Sequence, residues 1–214
     1  MGIAAKICGL ASEDAVAAAV EGGAAYLGFV FYPPSPRAVT PPRAARLCAG
    51  VPAGVARVGL FVDADDNVIA AVLDAMPLDM LQFHGHESAE RVAEARARFG
   101  RHIIKAVAIA NENDVGAAAS YERVADLLLF DAKPPQRPNA LPGGNGLAFD
   151  WGLIAGRSWR RPWMLSGGLT AEILPEAVRA SGAAIVDVSS GVETRPGHKD
   201  PDKIRAFLAA VRAV

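Results

Sequence analysis

Leu165-Ser166-Gly167-Gly168-Leu169-Thr170 is a short hydrophobic run that ends in small polar and glycine residues. Val188-Ser189-Ser190-Gly191-Val192-Glu193 repeats the pattern further along the chain. A helix-like segment follows each. Small residues let backbone N–H groups approach an anion closely, and the N-terminus of a following helix adds partial positive charge. One Ser-Gly-Gly is more often a tight turn than a ligand site. Two such loops in succession near the C-terminus match the phosphate site that eight-stranded parallel barrels build from the loops after strands seven and eight. Gly167, Gly168, Ser190 and Gly191 are therefore candidate phosphate contacts.

Outward from these loops, β-rich runs alternate with Ala-, Glu- and Arg-rich stretches through the whole sequence. The pattern predicts strands at 3–8, 26–31, 57–62, 79–84, 103–109, 126–131, 162–166 and 184–188. It predicts helices at 13–21, 42–49, 66–75, 89–99, 112–121, 151–155, 171–180 and 202–214. Strands alternating with helices imply right-handed crossovers and a parallel sheet. The expected fold is α/β: a single-domain (β/α)8 TIM barrel over residues 1–214. An open doubly wound sheet is the rival, because local pattern does not prove closure.

Composition narrows the function classes. Lys+Arg is 22 against Asp+Glu 23, a net charge of -1, so no basic excess points to nucleic acid. No apolar run approaches the ~18 residues of a membrane span. Lys6 arrives too early for a secretory leader and stands where a myristoylation signal wants Ser or Thr. Cys8 and Cys48 have no metal-type spacing and read as free thiols in a reducing compartment. The expectation is a cytoplasmic, soluble protein, monomeric by default, with no nucleic-acid or membrane partner.

Polar residues gather at the C-terminal ends of the predicted strands: Cys8, Gln82 with His84, Asp131, Ser166 and Asp187. In a barrel those ends surround one mouth. Two loops add to it. Tyr32-Pro33-Pro34-Ser35-Pro36-Arg37 is stiffened by its prolines and holds Arg37 in place. The long stretch between Asp131 and Trp151 contains Gly143-Gly144-Asn145-Gly146, with the flexibility a lid needs. The Gly-Gly pairs at 22–23 and 143–144 need no role beyond turning the chain.

Several blocks together resemble phosphoribosylanthranilate isomerase. They are Lys6-Ile7-Cys8-Gly9, Gly28-Phe29-Val30-Phe31 with Ser35-Pro36-Arg37, Leu81-Gln82-Phe83-His84-Gly85, and Phe130-Asp131-Ala132-Lys133. Gly143-Gly144-Asn145-Gly146, Phe149-Asp150-Trp151, Leu165 to Leu169, Val186 to Glu193 and Pro196-Gly197-His198-Lys199-Asp200 complete the series. Asn145 departs from the usual Thr or Ser, and Phe83 from the commoner Leu.

The resemblance implies an Amadori rearrangement of N-(5′-phosphoribosyl)anthranilate to carboxyphenylamino-deoxyribulose phosphate, a small phosphosugar-amine substrate. It implies no cofactor and no metal. Asp131 would protonate the ring oxygen, and Cys8, as thiolate, would remove the C2′ proton. A free thiol is a poor thiolate reservoir at neutral pH, so its surroundings must tune it. Lys6 is close in sequence, but its ammonium is not expected beside the sulfur. Arg37 would hold the anthranilate carboxylate as a bidentate fork, and Asp187 would act at the ribose or amine. His84 reads equally as a core or a substrate-facing residue, and Lys133 as a partner of Asp131 or a solvated charge. Cys48, inside a helical pattern, reads as structural. Two alternatives stand beside the isomerase. One is a metal-dependent sugar-phosphate epimerase using His84 and His86; the other is a non-enzymatic phosphate-binding barrel.

Overall fold

In the computed structural model, which describes residues 2–135 and 141–214, eight parallel strands close on themselves in sequence order. They are β1 (Ala4–Cys8), β2 (Tyr26–Val30), β3 (Ala56–Phe61), β4 (Met80–Phe83), β5 (His102–Ile109), β6 (Leu127–Ala132), β7 (Trp163–Leu165) and β8 (Ile185–Val188). Closure is made by β1 pairing with β8, with Lys6 opposite Asp187. The barrel is therefore the TIM barrel expected from the repeat, and the open-sheet rival is excluded.

Side-chain alternation on each strand sorts the residues into two cores. Outward-facing residues such as Ile7, Leu27, Phe29, Leu81 and Leu128 pack against the helices. Val58, Ile104, Ala106, Leu127, Leu129 and Met164 fill the barrel interior. Nearer the mouth, Cys8 packs with Val30 and Leu60. Between these apolar layers the interior holds Lys6, Gln82 and Asp187, all buried.

The helices are α1 (Glu13–Glu21), α2 (Pro41–Cys48), α3 (Asp66–Ala75), α4 (Ala89–Phe99), α5 (Glu112–Ala118), α6 (Leu174–Ser181) and α7 (Pro201–Ala213). Their starts follow sequence chemistry. Asp65, Ser88, Asn111 and Asp200 each accept backbone N–H groups of the first turn through their side chains.

Two expected helices differ. The stretch predicted as a helix at 151–155 forms only a 3₁₀ turn, Trp151–Leu153. It has Gly152 at its centre and is followed by Gly156 at φ +67, and is too short to propagate. The helix predicted at 171–180 begins at Leu174, with Pro175 in its first turn, after a turn through 171–173. Between β8 and α7 the chain inserts a 3₁₀ turn, Ser190–Val192, and an antiparallel pair, β9 (Glu193–Arg195) and β10 (His198–Lys199). Part of the long loop expected to act as a lid, residues 136–140, lies outside the described residues.

Candidate active site

The C-terminal ends of the strands open into a pocket lined by Cys8, Arg37, His84, Asp131 and Asp187. The same pocket reaches Gly167, Gly168, Ser189 and Ser190 on the loops after β7 and β8. The structure thus brings together nearly all the residues the sequence singled out, from six of the eight strand–loop units. Gly191 is the exception. It sits behind Ser190, where a Cβ would lie 1.9 Å from the Leu169 carbonyl oxygen, so it packs the two loops against each other.

The amides of Gly167, Gly168, Ser190 and Gly191 donate no hydrogen bond to protein among the described residues. Gly167 and Gly168 have φ of +91° and +63°, a conformation side chains other than glycine's resist. Free amides paired with left-handed backbone are the chemistry that suits an anion.

Around Cys8 the interior is charged. Lys6 lies two residues back on β1, so alternation turns both side chains inward. Lys6 Nζ donates to Asp187 Oδ1 at 2.8 Å, and Ser166 Oγ donates to Asp187 Oδ2 at 3.1 Å. Gly28 on β2 leaves the room: a Cβ there would sit 2.9 Å from Cys8 Sγ and 3.3 Å from Lys6 Cε. The expectation that the Lys6 ammonium stays away from the sulfur is therefore corrected. Its long side chain climbs one layer toward the mouth, where it faces Asp187 and the thiol together. Burial drives the Lys6 pKa down, but the Asp187 carboxylate and Cys8 outweigh it, and the net shift is upward. Burial pushes the Cys8 thiol up; the Lys6 ammonium pulls against it.

Arg37 is buried, and its bidentate face is already occupied. Nε donates to Glu193 Oε1 at 2.8 Å and Nη2 to Glu193 Oε2 at 2.9 Å, with Nη2 also reaching the Gly144 carbonyl at 3.1 Å. The side-on fork expected for a substrate carboxylate is thus engaged by Glu193, and Nη1 is the edge left over. Lys199 completes this cluster, donating to Glu193 Oε1 at 2.6 Å and to the Ser189 carbonyl at 2.9 Å. Burial lowers the Lys199 pKa, with Glu193 opposing.

Asp131 stands at the end of β6. Its Oδ1 accepts the Ala132 N–H at 2.9 Å, and its Oδ2 lies 3.3 Å from His84 Nε2. Gly143 of the long loop lies against this pair: a Cβ there would be 2.6 Å from His84 Nε2 and 2.9 Å from Asp131 Oδ2. The glycines at 143–144 therefore do more than turn the chain. They let its backbone close over Asp131, His84 and Arg37. Lys133 turns away and pairs with Asp114 at 2.8 Å.

His84 lines the pocket, whereas the His86 side chain is 94% exposed and bound to Asp63. The two imidazoles engage different carboxylates and do not converge on one point. Cys48, the last residue of α2, is buried and does not line the pocket.

Sequence reasoning did not assign roles to Lys6, Gln82, Glu193 or Lys199. For Lys6 a signal existed, since residues two apart on a strand share a face. Glu193 and Lys199 reach the site through the β9–β10 insertion, and no periodicity announces such a pairing.

Residues 5–210 match the sequence profile of the family described as N-(5′-phosphoribosyl)anthranilate (PRA) isomerase. The N-(5′-phosphoribosyl)anthranilate isomerase of Rhodospirillum centenum is 58% identical over 214 residues, covering 100% of both chains. The crystal structure of phosphoribosyl anthranilate isomerase from Thermotoga maritima superposes with a TM-score of 0.88 at 37% identity, covering 99% of this chain and 100% of that one. A crystal structure of a phosphoribosyl anthranilate isomerase in complex with reduced 1-(o-carboxyphenylamino)-1-deoxyribulose 5-phosphate gives a TM-score of 0.84 at 35% identity, covering 99% of this chain and 100% of that one.

Proposed function

The chain belongs to the N-(5′-phosphoribosyl)anthranilate isomerase family, and from that premise we propose which of its groups carry the reaction. The activity is the isomerisation of N-(5′-phosphoribosyl)anthranilate to 1-(2-carboxyphenylamino)-1-deoxyribulose 5-phosphate in tryptophan biosynthesis. Asp131 is the general acid. It passes a proton to the ribose ring oxygen as the bond from C1′ to that oxygen breaks, and the anilino nitrogen lone pair forms the double bond to C1′, which opens the ring to an iminium. Cys8, as thiolate, then removes the proton from C2′, and the electron pair moves into the C1′–C2′ bond and neutralises the iminium nitrogen, giving the enolamine. That intermediate tautomerises to the ketose. Acid and base need separate environments. Cys8 has the Lys6–Asp187 pair beside it, while Asp131 has His84 and the Ala132 amide.

A thiol whose pKa is raised yields little thiolate at neutral pH, yet each thiolate formed is a stronger base toward carbon. The Lys6 ammonium opposes the burial that raises it. The phosphate binds the free amides of the loops after β7 and β8. Arg37 meets the anthranilate carboxylate through Nη1, held there by Glu193, and Asp187 and His84 also face the substrate. The observation that carries this reading is that Cys8 and Asp131, from β1 and β6, line one pocket whose rim bears the amide-rich loops.

The whole chain acts as one domain, without metal or cofactor. It works as a monomer in the cytoplasm, a reading supported by two free thiols and by large exposed apolar residues limited, among the described residues, to Val68, Leu147 and Val214. Purified protein dialysed against chelator should convert the substrate to the ketose phosphate at an undiminished rate. Loss of turnover restored by zinc or manganese would instead support a metal-dependent reaction. Binding of the substrate without turnover would support a non-enzymatic role.

A further inference from the structure

Gln82 lies on β4, is wholly buried, and does not line the pocket. Strand alternation points it to the same interior side as His84. Its Nε2 is 3.0 Å from His84 Nδ1, while its Oε1 is buried and meets no hydrogen-bond partner among the described residues. A buried amide with an unpaired oxygen is less favourable than a methionine or leucine filling the same space. Packing alone therefore gives no reason for an amide here. What it supplies is a donor. An amide nitrogen can only donate, so His84 Nδ1 accepts and the imidazole proton resides on Nε2. That nitrogen faces Asp131 Oδ2 at 3.3 Å.

We propose that Gln82 is a positioning residue for the isomerisation: it fixes His84 as the Nε2–H tautomer, and this N–H receives the negative charge left on Asp131 as Asp131 gives up its proton. The proposal rests on the reading of Asp131 as the acid. In the step, the Asp131 O–H proton goes to the ring oxygen, which also takes the electron pair of the breaking bond to C1′. Asp131 becomes a carboxylate, and His84 keeps its own proton throughout. The hydrogen bond from Nε2 strengthens as that charge develops, so it stabilises the transition state more than the bound substrate. A Gln82 amide turned the other way would accept from Nδ1–H and aim an imidazole lone pair at the same charge.

Two measurements test this. In ¹⁵N-histidine-labelled protein, with His84→Asn used to assign the signals, wild-type His84 should show an unprotonated Nδ1 and a protonated Nε2. Gln82→Glu, whose carboxylate accepts rather than donates, should reverse that pattern. Gln82→Met removes the donor and the orphaned oxygen with little change of volume, so the variant should fold. Its kcat should fall about tenfold, the scale of one hydrogen bond to a charged group, while KM changes less than about twofold. A wild-type His84 protonated on Nδ1 would overturn the proposal, and so would wild-type kcat in a folded Gln82→Met variant. Full activity of Asp131→Asn would remove the acid itself, whereas the tautomer spectrum reads His84 alone, so the two failures are distinguishable.

Discussion

Cys8→Ala should lower kcat by at least ~10²-fold, the usual scale for losing a general base, with little change in ligand binding. Cys48→Ala should leave turnover near wild type, because its thiol lies outside the pocket. Steady-state kinetics of the pair decide it, and a comparable loss at Cys48 would count against the assignment. Since burial raises the Cys8 pKa and only the thiolate is a base, kcat/KM should climb with pH toward that raised value. Lys6→Met removes the opposing ammonium and should move this rising limb to higher pH. Asp131→Asn keeps the shape and the capping of Ala132 N–H but delivers no proton. A folded variant retaining more than about a tenth of wild-type turnover would favour the capping role alone. At this scale the sequence marked the groups proposed to react more plainly than it showed what surrounds them. Cys8 and Asp131 are marked by their place at strand ends. The Arg37–Glu193 pair joins residues 156 positions apart, and only the folded loops bring the two together.

Between strand and helix, the anion site proposed for the loops after β7 and β8 is built of backbone amides rather than side chains. A Cβ on Gly168 would meet the Leu147 carbonyl carbon at 2.9 Å and the Ala148 nitrogen at 3.0 Å, in a left-handed conformation as well. Gly168→Val should therefore raise KM steeply, by displacing the 147–148 backbone as well as by crowding the anion. Ser190→Ala should cost only about 1 kcal/mol of binding, one hydrogen bond's worth. Titration of both variants with inorganic phosphate tests the placement, and equal losses would sink it. The elements themselves were legible where capping residues and apolar periodicity agreed, as at Ser88 and at Asp65. They were not where glycines interrupt a short run: 151–155 has helical composition but forms a single 3₁₀ turn. The β9–β10 hairpin carries no repeated signal because it belongs to no strand–helix unit.

Over the whole molecule, alkaline stability should depend on Cys48. Burial raises its thiol from the ordinary 9.0 to about 11. The unfolded chain ionises first, so between those values it binds fewer protons than the folded one, and stability falls as pH rises through the window. Cys48→Ala should flatten that part of the melting-temperature profile between pH 9 and 11; an unchanged slope would assign it to other groups.

Barrel closure was the one global property that the strand–helix alternation could predict but not prove. It is made by the first strand meeting the last, with Lys6 and Asp187 face to face across the seam. The C-terminal helix α7 reinforces the join, with Leu208 packed so tightly under Gly22, after α1, that a Cβ there would collide with it. A ribosome delivers Lys6 and Cys8 among the first residues and Asp187 among the last, so the lysine beside the thiol spends nearly all of translation without its carboxylate. A truncated or stalled chain would carry the proposed base and its lysine but neither the carboxylate nor the closed barrel, and catalytic competence is thereby tied to finished synthesis.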